Sequence, residues 1–148
     1  MMTLDEILYN AIVASDSIME AIGGRVKSTS FEVPPDQEDN VPLPNIIVYD
    51  GGAQAQLDNK DCEWLPAYDS VQAGIEISAK SPKAVKQLVK AVRMAIANYV
   101  ETLSSDDTPY LDSITTDGTA WDWTRPCYYD TIRYQCQIYN DYEQENNN

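Results

Sequence analysis

Trp121 and Trp123 stand two positions apart, and Asp117, Asp122 and Asp130 lie close to them in the chain. Residues two apart share one side of an extended segment. The pair can therefore form a platform for a sugar ring, and two of the carboxylates can supply the acid and base of glycoside hydrolysis. Half of all the Trp, Tyr and Phe residues fall between Trp121 and Tyr142. Cross-strand packing explains the same residues without a ligand, because aromatic pairs commonly stabilise antiparallel sheets, and it is the favoured expectation; 148 residues is also small for a glycosidase.

Other chemistry is thinner still. The chain has no histidine, which removes the commonest general base and the usual partner of a Ser or Cys nucleophile. Cys62, Cys127 and Cys136 are odd in number and irregular in spacing. They do not make a zinc site, and are expected to be free thiols in a reducing compartment. The acidic runs Asp36 to Asp39 and Asp58 to Glu63 lack the ligand spacing and glycine of a calcium loop. Gly23-Gly24-Arg25 ends a helical pattern instead of opening one, so it is a turn and not a phosphate loop. No catalytic, metal or cofactor site is expected, and the chain is not expected to be an enzyme.

Charge is more informative. The formal net charge is −14, which repels nucleic-acid backbones and anionic membranes. One segment departs from this. Lys83, Lys86, Lys90 and Arg93 follow i, i+3, i+7, i+10 spacing with no acid among them, so they share one face of a helix. A solvated outer face accounts for such a stripe; docking to an acidic surface is the functional alternative. The acidic surface nearest to hand is a second copy of the chain, with Asp36, Glu38 and Asp39, or Asp58, Asp61 and Glu63, as candidate contacts.

The elements that would position these residues follow from periodicity. Val71, Ala73, Ile75, Ile77 and Ala79 alternate with polar residues and predict a strand with one buried face. At Ser81-Pro82 the period lengthens. Ser81 is an N-cap, Pro82 fits the first helical position, and Val85, Leu88, Val89, Val92, Ala95, Ile96, Tyr99 and Val100 mark the buried stripe of a long helix. Thr3 with Glu6 predicts a capping box for a first helix; Ser15 or Asp16 offers a second cap, so the opening is one bent helix or a helical pair ending at Gly23-Gly24. Val26 to Val33 is predicted as an edge strand. Ile46 to Tyr49 is a short central strand that Gly51-Gly52 is expected to close. Ala53 to Ser70 is a long loop or a hairpin arm, Tyr110 to Thr116 a strand broken by Gly118, and Tyr128 to Tyr139 a long antiparallel strand. The fold class is α+β, with two main helices packed on a mixed, mostly antiparallel sheet. Residues 1–139 form one domain, and 140–148 a polar tail expected to fray. The start lacks a basic leader and nowhere do 18 apolar residues run together, so a soluble, non-exported protein is expected.

This order of elements resembles the tail-completion or tail-terminator family of long-tailed bacteriophages. The resemblance rests on the helix ending in Ile22-Gly23-Gly24-Arg25-Val26, the approach Pro42-Leu43-Pro44 into Asn45 to Asp50, the strand Gln72 to Lys80, the helix from Ser81 and the tyrosine-rich strand from Tyr128. It implies a ring subunit, sixfold in assembly, that caps the tail tube, ends its polymerisation and presents a surface for head attachment. Its implied partners are other copies of itself, the tail-tube protein and a head–tail connector protein. Its implied place is the virion tail, assembled in the bacterial host cytoplasm. The segments 51–70 and 104–125 are longer than such a core needs. Alternatives are a head–tail connector component, an acidic inhibitor or immunity-like protein, and a carbohydrate-binding domain.

Overall fold

The computed structural model describes residues 2–28, 42–55 and 68–140. The chain opens with a helical pair, α1 (Leu4–Val13) and α2 (Asp16–Ala21). Thr3 N–H donates to Glu6 Oε2 at 3.2 Å, the Glu half of the predicted capping box. Ser15 Oγ accepts from Ile18 N–H at 3.5 Å to start α2. Gly23 and Gly24 then adopt φ of 60° and 74°, a left-handed conformation that ends the helix at little cost only for glycine.

The strands are β1 (Val26–Ser28), β2 (Asn45–Ala55), β3 (Tyr68–Ala79), β4 (Tyr110–Thr116), β5 (Ala120–Asp122) and β6 (Cys127–Tyr139), with α3 (Pro82–Glu101) between β3 and β4. They form one sheet in the order β1-β2-β3-β6-β4, with β5 also paired to β6. Only β1 and β2 run parallel among these pairs. The expected α+β architecture, two main helices on a mixed and mostly antiparallel sheet, is what the chain adopts.

Register explains which side is buried. Ile46, Ile77 and Asp130 lie in one row, and Val48, Ile75 and Ile132 in the next. The hydrophobic members of both rows are fully buried. Ser81 Oγ accepts from Ala84 N–H at 3.2 Å and sets the entry angle of α3, so Val85, Leu88, Val92 and Ile96 fall on the buried side. Helices α1 and α3 contact each other; α1 lies on β1, β2 and β3, and α3 on β3 and β6. Strand β4 lies beyond this helix layer, and all seven of its residues are exposed.

Two glycine positions behave differently in the sheet. Gly51-Gly52 does not close β2, which continues to Ala55 through a register shift between Asp50 and Ala53. Gly52 takes φ of 86°, and its N–H donates to Asp50 Oδ1 at 2.8 Å. A positive-φ glycine inside a strand makes a bulge as readily as a stop. Of the segment Ala53 to Ser70, the two described ends pair as the arms of a hairpin, with Ala53 opposite Val71 and Ala55 opposite Asp69; residues 56–67 lie outside the described residues. Gly118, in contrast, does break the strand, separating β4 from β5 with φ of 94°. Its N–H donates to Asp130 Oδ1 at 3.0 Å, which fixes this buried carboxylate in a structural task.

On the uncovered face, the Tyr49 ring lies over Gly74, its cross-strand partner, in space that any side chain on residue 74 would occupy. Burial pushes the Tyr49 phenol up from its ordinary pKa. Of the predicted edge strand, Val26 to Ser28 is observed at the sheet edge; residues 29–33 lie outside the described residues. No helix among the described residues is long and apolar enough to cross a membrane.

Candidate assembly surfaces

Lys83, Lys86, Lys90 and Arg93 are all exposed along α3, with Arg93 at the border of a groove between α1, α3, β4 and β6. Among the described residues, none of the four takes part in an ion pair. A row of exposed cations on an acidic protein, without ion-pair partners among the described residues, presents its charge to another surface. Their proposed counterparts Asp36, Glu38, Asp39, Asp58, Asp61 and Glu63 lie outside the described residues, so the structure places only the basic half of that contact.

The carboxylates near the tryptophans are engaged. Asp122 Oδ1 accepts from Thr124 N–H at 2.9 Å and Arg125 N–H at 3.3 Å, fixing the β5–β6 turn. Arg125 bridges Asp122 at 2.7 Å and Glu76 at 2.6 Å. Its hydrogen bond holds the Asp122 carboxyl below the usual carboxylate range. Asp117 pairs with Arg133 at 3.0 Å. Because the Asp122 pKa is depressed, the pair contributes stability above the unfolded value of 3.8, lost as pH falls through the folded value. In Arg125→Met, the Asp122 carboxyl followed by NMR is expected to titrate nearer the ordinary range; an unchanged midpoint would show that Arg125 does not tune it.

Trp121 sits directly across from Tyr128, with ring centroids 4.8 Å apart in edge-to-face contact. This is the cross-strand packing anticipated for these aromatics. Trp123 stacks edge-on against Trp121 at 5.9 Å, yet it is 87% exposed. Asp122 alternates with the two tryptophans and, with Arg125, reaches Glu76 on the uncovered face, whereas Trp121 and Tyr128 share the row of Ala79 on the helix face. The platform and Asp122 thus lie on opposite sides of the sheet.

One surface feature had no sequence signal. Where the helix layer stops short of β4, an apolar groove of about 150 Å³ opens between α1, α3, β4 and β6. Leu8, Ala97, Leu111, Ile114 and Tyr134 line it, with Arg93 as the one charged lining residue among those described. Burial pushes the Tyr134 phenol up to about 12 and the Cys136 thiol up to about 11, so both floor groups stay neutral and the Cys136 thiol unreactive. Cys127 is also buried and free. Among the described residues, no cluster of His, Cys, Asp and Glu could hold a metal ion.

No family model and no curated protein matches this sequence. Solved structures do match the fold. The bacteriophage SPP1 gp17 protein superposes with a TM-score of 0.58 at 12% identity, covering 93% of this chain and 89% of its own. A chain from the virion of a native gene transfer agent particle superposes with a TM-score of 0.52 at 15% identity, covering 93% of this chain and 95% of its own. At these identities the likeness establishes a common fold across nearly the whole chain.

Proposed function

We propose that this chain is a virion structural protein that assembles as a ring, caps the end of a phage tail tube, ends its polymerisation and presents the surface to which a head attaches. The observation that carries this reading is the fold shared over 93% of the chain with a bacteriophage protein and with a chain of a gene transfer agent virion. The charge distribution supports it. A ring is held by head-to-tail contacts between two different patches, and an acidic body with one exposed basic helix face offers patches of opposite sign. The surplus of negative charge keeps free subunits apart until a partner with the right geometry is met.

In this reading the chain works by binding alone, and hydrolase and glycosidase panels are expected to show no turnover. The direct test adds the purified protein to polymerising tail-tube protein of the cognate phage. Electron microscopy should find rings at tube ends, and the tubes should stop growing. Tubes that grow to the same lengths with bare ends would refute the proposal.

A further inference from the structure

The exposed tryptophan and the apolar groove complement each other. Trp123 is the most exposed of the large hydrophobic residues described, and its ring rests edge-on against Trp121. Trp121 and Tyr128 stack behind it, and the Asp122–Arg125–Glu76 bridge locks the turn beneath it. A large, preorganised aromatic loses little conformational entropy on docking, and tryptophan is among the residues that dominate interface energetics. The groove is apolar and holds about 150 Å³, a volume that in an enclosed apolar cavity of ~150 Å³ accepts one aromatic ring. Charge agrees as well. Asp122 and Glu76 against Arg125 leave a net negative charge on the turn that carries the knob, on the side of the sheet opposite Trp121, and Arg93 lines the hole.

Within one subunit the two cannot meet. The knob adjoins Cys127 and the hole has Cys136 in its wall, at opposite ends of β6. At ~3.3 Å per residue, roughly 30 Å separates them. We infer that Trp123 of one subunit inserts into the groove between α1, α3 and β4 of a second copy, making the repeating head-to-tail contact of the assembly. This rests on the ring reading for its biological setting, but the contact itself is measurable without it. A knob and a hole on different patches generate a heterologous interface, which closes into a ring or propagates as a filament.

The test replaces Trp123 with the photo-cross-linker p-benzoylphenylalanine and irradiates mixtures of isotopically labelled and unlabelled protein, at high concentration and on purified tail tubes. Adducts between two copies that map to Leu8, Ala97 or Leu111 are expected. Adducts to the tube protein, adducts elsewhere on the chain, or no adduct would overturn the inference. Trp123→Ala is expected to weaken self-association at least about 30-fold, the loss that follows from removing a hot spot worth ~2 kcal/mol. Ala97→Trp, which fills the groove from an exposed helix position, should do the same. Each variant retains the half that the other lacks, so an equimolar mixture should yield dimers and nothing larger. If Ala97→Trp melts early by circular dichroism, Leu111→Lys, on exposed β4, takes its place. Self-association of the groove variant at parental strength would overturn the contact. Capping of tubes without the expected cross-link sinks this contact alone, whereas the cross-link without capping sinks the tail-cap reading alone.

Discussion

Replacing Ile75 with Ala is expected to lower unfolding free energy by about 2–5 kcal/mol, the range for truncating a fully buried aliphatic side chain. Ile75 is 0% exposed and sits between Val48 and Ile132 in the middle of the sheet. Neither neighbouring strand can collapse onto the space left without bending its ladder, so most of the cavity should persist. Leu88→Ala is expected to fall at the lower end of the same range. Leu88 is 8% exposed and borders an open groove between α2 and α3, lined also by Ile18, Pro44 and Ala84. Water can enter there, and the surrounding side chains can relax. Urea unfolding of the two variants gives the ranking directly. A cost near zero for Ile75→Ala would contradict the packing of helices on this sheet face, and a larger cost for Leu88 than for Ile75 would put the core's centre elsewhere.

The parts of this fold legible in the sequence are those where one periodicity runs unbroken against one buried face. Strand β3 and helix α3 are the clearest. Val71 to Ala79 alternates because only one sheet face carries helices, and the period lengthens at Ser81 because its hydroxyl and Pro82 together open a helix. Strand β6 is legible for the same reason. What misled was Gly51-Gly52, since local residue type cannot distinguish a turn from a bulge. The distinction lies in Val71 and Asp69, which continue the ladder from the facing strand.

The candidate surfaces divide along a similar line. The basic stripe is local to one helix, so spacing alone placed it. The groove draws on Leu8, Ala97, Ile114 and Tyr134 from four separate elements, and the spacing within any one element does not show that they meet. It exists only because the helix layer ends before β4, and that is a property of topology. Trp123 carried a usable signal. An aromatic between Asp122 and Thr124, just ahead of Arg125-Pro126, stands where the chain is turning and core is scarce. Its twofold spacing from Trp121 suits cross-strand packing for both rings or a platform, whereas in the fold one ring packs and the other projects.

Reversing Lys86 and Lys90 to Glu should impair ring formation and tube capping while leaving the fold unchanged, because both side chains are exposed and neither forms an ion pair among the described residues. Charges at an interface rim act chiefly on the rate of encounter, where steering contributes roughly 10- to 1,000-fold at low salt. The double variant is therefore expected to cap at least about tenfold more slowly than the parent in dilute buffer. As ionic strength rises from ~0.1 to ~1 M, the screening length falls from ~10 to ~3 Å. The parent should slow over that range and the two proteins should converge. Trp123→Ala gives a different profile, since an apolar anchor acts mainly on dissociation and its loss should persist at high salt. Light scattering for assembly and electron microscopy for capped ends, with purified tail tubes present, separate the two behaviours. If the charge-reversed protein caps as fast as the parent at every salt concentration, the stripe is a solvated helix face, and the ring is held by apolar contacts such as Trp123 in its neighbour's groove.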